Sequence, residues 1–241
     1  MSAIAEQLAL IQERIAAAAR QAGRDPGSVT LIGVSKTHPP ETVGAALAAG
    51  LTHFGENRVQ EAEGKIAALA GRRADMAWHL IGHLQSNKAK KAAALFDLIH
   101  SLDSLALAQA LDRHAGALGR RLPVLLQVNV SGEASKDGFA LAGWEERPAV
   151  LEGFYAELEP LLALPQLEVR GLMTIAPLSD DPAAALATFR STRRLRDALG
   201  RRFPQARWGE LSMGMTDDFE EAIAEGATMV RIGRAIFGSR T

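Results

Sequence analysis

Two hydrophobic rhythms alternate along the chain. Short apolar runs rich in β-branched residues and lacking strict polar alternation give way to longer segments in which apolar residues recur at helical spacing. The short runs fall at 29–35 (VTLIGVS), 52–56, 77–82, 97–101, 123–130 (PVLLQVNV), 167–175, 207–211 and 227–233. The helical rhythm occupies 41–49, 57–70, 103–118, 145–163, 182–200 and 217–225, while HLQSNKAKKAAALF after the third run allows only a short helix. An additional helix precedes the first run and ends near Gly23, before the turn RDPGS. Strands that are apolar on both faces belong in a parallel sheet covered on each side. Eight β-α units within 241 residues therefore predict an α/β chain folded as a single-domain (β/α)8 TIM barrel with an extra N-terminal helix, spanning 1–241 with no internal linker. The least regular stretch, LAGWEERPAVLEGFY, reads as a loop and helix entry.

Composition narrows the function classes. With 47% hydrophobic and 23% charged residues the chain buries a full core, and a net charge of −1 supplies no overall field for nucleic acid or an anionic membrane. The absence of cysteine removes disulfides, thiol catalysis and Cys-ligated zinc, and fits a reducing compartment. The N-terminal segment carries Glu6 and Glu13 at helical period, unlike a secretory leader, and no apolar run approaches the roughly 18 residues of a membrane span. A cytoplasmic location is expected. The segment 189–202 has six arginines, but Phe189, Leu195 and Leu199 form an apolar stripe beneath them, so it reads as a solvated outer helix; NKAKKA is a basic helix start near the barrel mouth.

In a parallel barrel the chemistry gathers at the C-terminal ends of the strands. Lys36 follows the first strand. A lysine there is commonly a solvated terminator, yet at the top of an inner strand partial desolvation favours its neutral, nucleophilic amine, suited to a Schiff base with a carbonyl compound. Near the other end of the chain, Ser212 and Gly214 in SMGMTDD and Gly233 in RIGRAIFG lie in the loops after the seventh and eighth strands, where this fold often binds phosphate. Either motif alone is as readily a tight turn. Arg231 should share the inner face with Gly233 by period two, and needs an acceptor: a barrel-bottom carboxylate, or a ring nitrogen that it would keep unprotonated. Asn57 opens a helix and can be its N-cap. His79 reads as a core histidine, and its i, i+4 spacing to His83 is broken by Gly82, which argues against zinc.

The motifs VSKTHP, HFGENRVQEAEGK, WHLIGHLQSNK, VNVSGEASKDGF, RGLMTI, ELSMGMTDDFEEAI and ATMVRIGRAIFG, in this order over about residues 29–238, resemble the pyridoxal phosphate homeostasis protein family. The resemblance implies a barrel like the N-terminal domain of alanine racemase, with pyridoxal 5'-phosphate (PLP) held as a Schiff base on Lys36. It further implies a phosphate cradle from Ser212, Gly214, Gly233 and the backbone of Arg234, with Arg231 facing the pyridine nitrogen, Asn57 and His79 beside the ring and Met173 as a wall. It implies a PLP carrier or regulator without established catalytic turnover, with PLP-dependent apo-enzymes as candidate recipients; a compact barrel with no obvious dimerisation segment argues for a monomer, and the net charge and the lack of a membrane span argue against nucleic acid and membrane as partners. Racemases of this type set a tyrosine opposite the lysine. Here the only tyrosine, Tyr155, lies in the irregular outer segment and the sequence ends at Thr241 soon after the eighth strand, although His79 is a conceivable substitute. Two alternatives stay open: a PLP-dependent amino-acid racemase, and an aldolase that uses Lys36 without PLP.

Overall fold

The computed structural model describes residues 2–178 and 181–238. The strands are β1 (Thr30–Val34), β2 (His53–Glu56), β3 (Ala77–Leu80), β4 (Leu98–Leu102), β5 (Leu122–Asn129), β6 (Phe139–Ala140), β7 (Leu167–Met173), β8 (Glu210–Ser212) and β9 (Met229–Ile232). All pair in parallel; β4 meets β5 while β1 meets β9, so eight strands close into a barrel and the two-residue β6 lies outside the closed ring. The strand β6, which flanks β5, was not expected from the sequence. The helices are α1 (Ala3–Gln21), α2 (Pro40–Ala48), α3 (Val59–Ala68), α4 (Ala89–Leu95), α5 (Leu105–Ala117), α6 (Pro148–Leu162), α7 (Pro182–Arg202), α8 (Phe219–Ala224) and α9 (Arg234–Phe237). The seven-residue α4 is the short helix predicted after the third strand.

Side-chain alternation divides the core in two. Trp78, Leu80, Ile99, Leu126, Leu172, Val230 and Ile232 point outward into the large cluster under the helices, whereas Ile32, Leu98, Leu125, Met173 and Met229 meet inside the barrel. Continuous apolar runs are thus what a strand buried on both faces requires. Helix starts follow local chemistry: Ser104 Oγ accepts from the Leu107 N–H at 3.3 Å and so caps α5. Ser104→Ala is expected to lower stability by about 1 kcal/mol, read as a shift in urea midpoint at unchanged slope.

Arginines on the barrel's outside are matched by carboxylates. Phe189, Leu195 and Leu199 of α7 are buried, while Arg190 and Arg193 both grip Glu225, Arg194 pairs with Glu145 and Arg202 with Glu159. This is the solvated outer helix anticipated for the segment. No helix among the described residues is long and apolar enough to cross a membrane.

Candidate functional site

Lys36 stands in a turn immediately after β1 and is half-buried. Beneath it lies a buried ionic cluster. Lys65 of α3, only 4% exposed, gives all three ammonium hydrogens to the Ser35 carbonyl, Glu56 Oε1 and Glu61 Oε1, each at 2.7 Å. Ser35 Oγ also donates to Glu56 Oε1 at 2.6 Å, and the Thr37 N–H donates to Glu61 Oε1. Thr37 is the only described non-glycine residue with positive φ, at 69°, so the turn carrying Lys36 adopts an uncommon backbone and is fastened on both sides of the lysine. Burial pushes the Glu56 carboxyl up, against the opposing pull of Lys65 and Ser35. Burial acts the same way on Glu61, but its bonds from Lys65 and Thr37 outweigh it and hold that carboxyl down.

Arg231 occupies the barrel interior on β9, 4% exposed. Its guanidinium donates to Ser212 Oγ at 2.7 Å and to the Thr174 carbonyl at 2.8 Å. Burial lowers its pKa to about 10, partly countered by Asp218, so it remains a cation. Among the described residues no carboxylate lies within ion-pair distance of it. The ion pair weighed for Arg231 is instead made by Arg170 of β7 with Glu168 and Glu210, at 3.0 and 3.9 Å.

From Ser212 a row of histidines runs through neighbouring strands. His100 Nδ1 lies 2.8 Å from Ser212 Oγ, His100 Nε2 lies 2.9 Å from His79 Nδ1, and His79 Nε2 lies 3.0 Å from His53 Nδ1. Burial, then His53, depresses the His79 pKa to about 3; burial and then His79 hold His100 well below the usual range. Both rings are therefore neutral, and both nitrogens of His79 are engaged. His83 points elsewhere, to Asp103 at 3.2 Å on the rim.

The loops after β8 and β9 are tied together. The Arg231 N–H donates to the Gly214 carbonyl at 3.0 Å, and the exposed Arg234 guanidinium reaches Asp217 at 2.7 Å. Gly214 has φ of 94°, and a Cβ there would stand 2.6 Å from that of Ala222 and 2.9 Å from Phe219 Cα, so only glycine suits the position. A Cβ on Gly233 would come within 3.2 Å of the Val34 carbonyl, below the Lys36 turn. The structure thus ties Gly214 to β9 and sets Gly233, with Arg234 next in the chain, against β1. Ser212 differs from the cradle expectation in one respect: its fully buried hydroxyl is engaged inside the barrel with Arg231 and His100. Met173 ends β7, fully buried and registered opposite Ser212. Asn57 is not a helix cap; α3 is preceded by Arg58, without a side-chain bond, because Asn57 remains in the loop against Gly82, whose Cβ would stand 2.5 Å from the Asn57 carbonyl. Sequence reasoning passed over Lys65, Glu56, Glu61 and His100. The signals were present: an i, i+4 Glu61–Lys65 pair, and a histidine in each of three consecutive strand candidates.

Comparison with known proteins agrees with this architecture. Residues 7–241 match the family described as alanine racemase, N-terminal domain. A pyridoxal phosphate homeostasis protein of Pseudomonas aeruginosa is 48% identical, with 100% of this chain and 97% of the relative covered; that of Escherichia coli K12 is 41% identical, covering 100% and 98%. This chain belongs to the pyridoxal phosphate homeostasis protein family. Among solved structures, PipY of Synechococcus elongatus PCC7942 with PLP bound superposes with a TM-score of 0.83 at 46% identity, over 98% of this chain and 100% of PipY. Alanine racemase of Streptomyces coelicolor A3(2), 20% identical over 95% of this chain and 58% of its own, has a TM-score of 0.67 and shares the fold.

Proposed function

We propose that the chain binds PLP as a Schiff base on Lys36 and serves intracellular PLP homeostasis without catalytic turnover. The observation that carries this reading is Arg231: a cation inside the barrel whose guanidinium, among the described residues, is met by a hydroxyl and a carbonyl, both neutral. A cation so placed calls for an acceptor in the mouth above it, and the family relatives are named for pyridoxal phosphate while PipY is solved with PLP bound. The residues suit that group. The Lys36 amine would add to the aldehyde carbon, forming C=N while the carbonyl oxygen leaves as water. Arg231 would donate to the ring nitrogen, the loop backbones at Gly214, Gly233 and Arg234 would receive the phosphate, and Met173 and Asn57 would bound the ring. With Ser212 Oγ engaged in the interior, its contribution to the phosphate would come from the backbone.

Two findings support absence of turnover. His79 has both ring nitrogens in hydrogen bonds, so its one ring proton is committed within the barrel, and Tyr155 of α6 packs on Phe203, with ring centroids 5.5 Å apart. PLP-loaded protein is expected to show the visible band of a protein-bound Schiff base, to lose it with borohydride, and to lack it in Lys36→Ala. A colourless protein that takes up no PLP would sink the reading. Turnover of any D- or L-amino acid by wild type, abolished in Lys36→Ala, would instead establish the racemase alternative.

A further inference from the structure

The row of histidines has a direction. Arginine carries donors only, so Arg231 gives a proton to Ser212 Oγ. The hydroxyl owns one proton of its own, and in a site with no exposure that proton needs an acceptor. Its other neighbour is His100 Nδ1, which must then be bare, placing the His100 proton on Nε2. The assignment passes along the row: His100 Nε2 donates to His79 Nδ1, and His79 Nε2 donates to His53 Nδ1. Reversing every bond would leave the Ser212 hydroxyl accepting from two sides with its own proton unplaced. The end residues therefore fix one polarity.

The far end reaches the surface. His53 opens β2 at the N-terminal floor of the barrel, is half-buried, and lines a cleft of about 450 Å³ with Gln12, Ile15 and Val29. We propose that Arg231, Ser212, His100, His79 and His53 form one polarised hydrogen-bond wire, in which Ser212 and His100 are positioning residues for the Arg231 guanidinium and His53 is the port to solvent. The effect on a bound ring rests on the PLP reading above; the polarity does not. Such a chain strengthens each of its bonds in a low-dielectric interior, and a doubly protonated imidazole anywhere within it would set donor against donor. The charged groups that face it are Asp97, held by Arg73, beside His53 and His79, and Asp218 near Arg231.

Imidazole 15N NMR on the PLP-free protein tests the polarity: all three rings are expected as the Nε2–H tautomer, and an Nδ1–H on His79 or His100 would overturn the wire. Positioning is tested on PLP-loaded protein. His100→Leu is expected to weaken PLP binding about tenfold, the scale of one hydrogen bond to a charged group. His100→Gln, able to accept from Ser212 and donate to His79, should restore most of it. Equal loss in two folded variants would reduce His100 to packing. Because His100→Leu can disturb folding, the half-buried His53→Phe provides the second measurement: it should move the pH midpoint of the visible band by about half a unit. An unmoved midpoint removes the port. If no Lys36-dependent band forms in wild type, the PLP reading fails, while the NMR result still decides the wire.

Discussion

Lys65→Met is expected to lower stability by about 3–5 kcal/mol, the usual consequence of removing one partner of a buried ion pair. For a chain of this size that corresponds to a fall in melting temperature of roughly 10 °C. The reason lies in what is left behind. Glu56 is fully buried, its Oε2 has no hydrogen-bond partner among the described residues, and Lys65 is the cation that offsets its charge. Methionine fills the volume of the lysine stem but leaves Glu56 Oε1 with Ser35 alone, and Glu56 must either stay charged in an apolar site or take up a proton. The double variant Lys65→Met/Glu56→Gln removes that burden and is expected to recover much of the loss, a non-additivity that urea unfolding of the four proteins measures directly. Simple addition of the two single effects would show that the pair is not coupled. The same cluster carries a functional consequence, because Lys65 holds the Ser35 carbonyl and Glu61 holds the Thr37 N–H on either side of Lys36. A folded Lys65→Met protein should therefore retain less PLP than wild type, even below its melting transition.

The barrel was legible because its strands are apolar on both faces, a pattern that survives without tertiary knowledge. All eight barrel strands overlap their expected runs, and the largest displacement is at β8, expected at 207–211 and found at Glu210–Ser212. There Trp208 belongs to the loop, its Nε1–H donating to the Phe203 carbonyl at 2.9 Å, and its apolar character mimics a strand. The Lys36 position and the two glycine loops were legible because fold and strand order alone place them at the mouth. The supporting chemistry was not. Glu56, Lys65 and Ser35 come from separate elements, and their partnership depends on the angle at which α3 crosses the strand ends. Likewise, period two put Arg231 on the inner face but could not say which acceptors it would meet. A carboxylate was one expectation, yet Glu168 and Glu210 pair with Arg170, and Arg231 met Ser212 and Thr174. Histidines in three consecutive strand candidates were visible as letters; their contact depends on the stagger between strands.

That row of histidines also predicts acid lability on a comparable scale. An unfolded histidine takes up a proton near pH 6.5, whereas His79 in the folded protein does so only at about 3 and His100 is likewise held well below its usual range. Between those limits the unfolded state binds more protons, so stability rises with pH and falls as the solution is acidified. The contribution is fully present above about pH 6.5 and is lost progressively below it, at about 1.4 kcal/mol per pH unit for each ring. From pH 7 to pH 5 the two buried rings together should cost about 4 kcal/mol. Glu56 and Asp218 oppose this, because burial raises both carboxyls and the folded state then gains protons first on acidification. Their effect is centred nearer the carboxylate range, so the histidine term governs the first part of the descent. The measurement is the urea midpoint at pH 7, 6 and 5, for wild type and His79→Gln. Wild type should fall steeply, and the variant, less stable at pH 7, should fall less because one of the two buried imidazoles is gone. A midpoint that stays level from pH 7 to 5 in wild type would mean that His79 and His100 accept protons in the folded barrel, and the neutral, one-directional row would go with it.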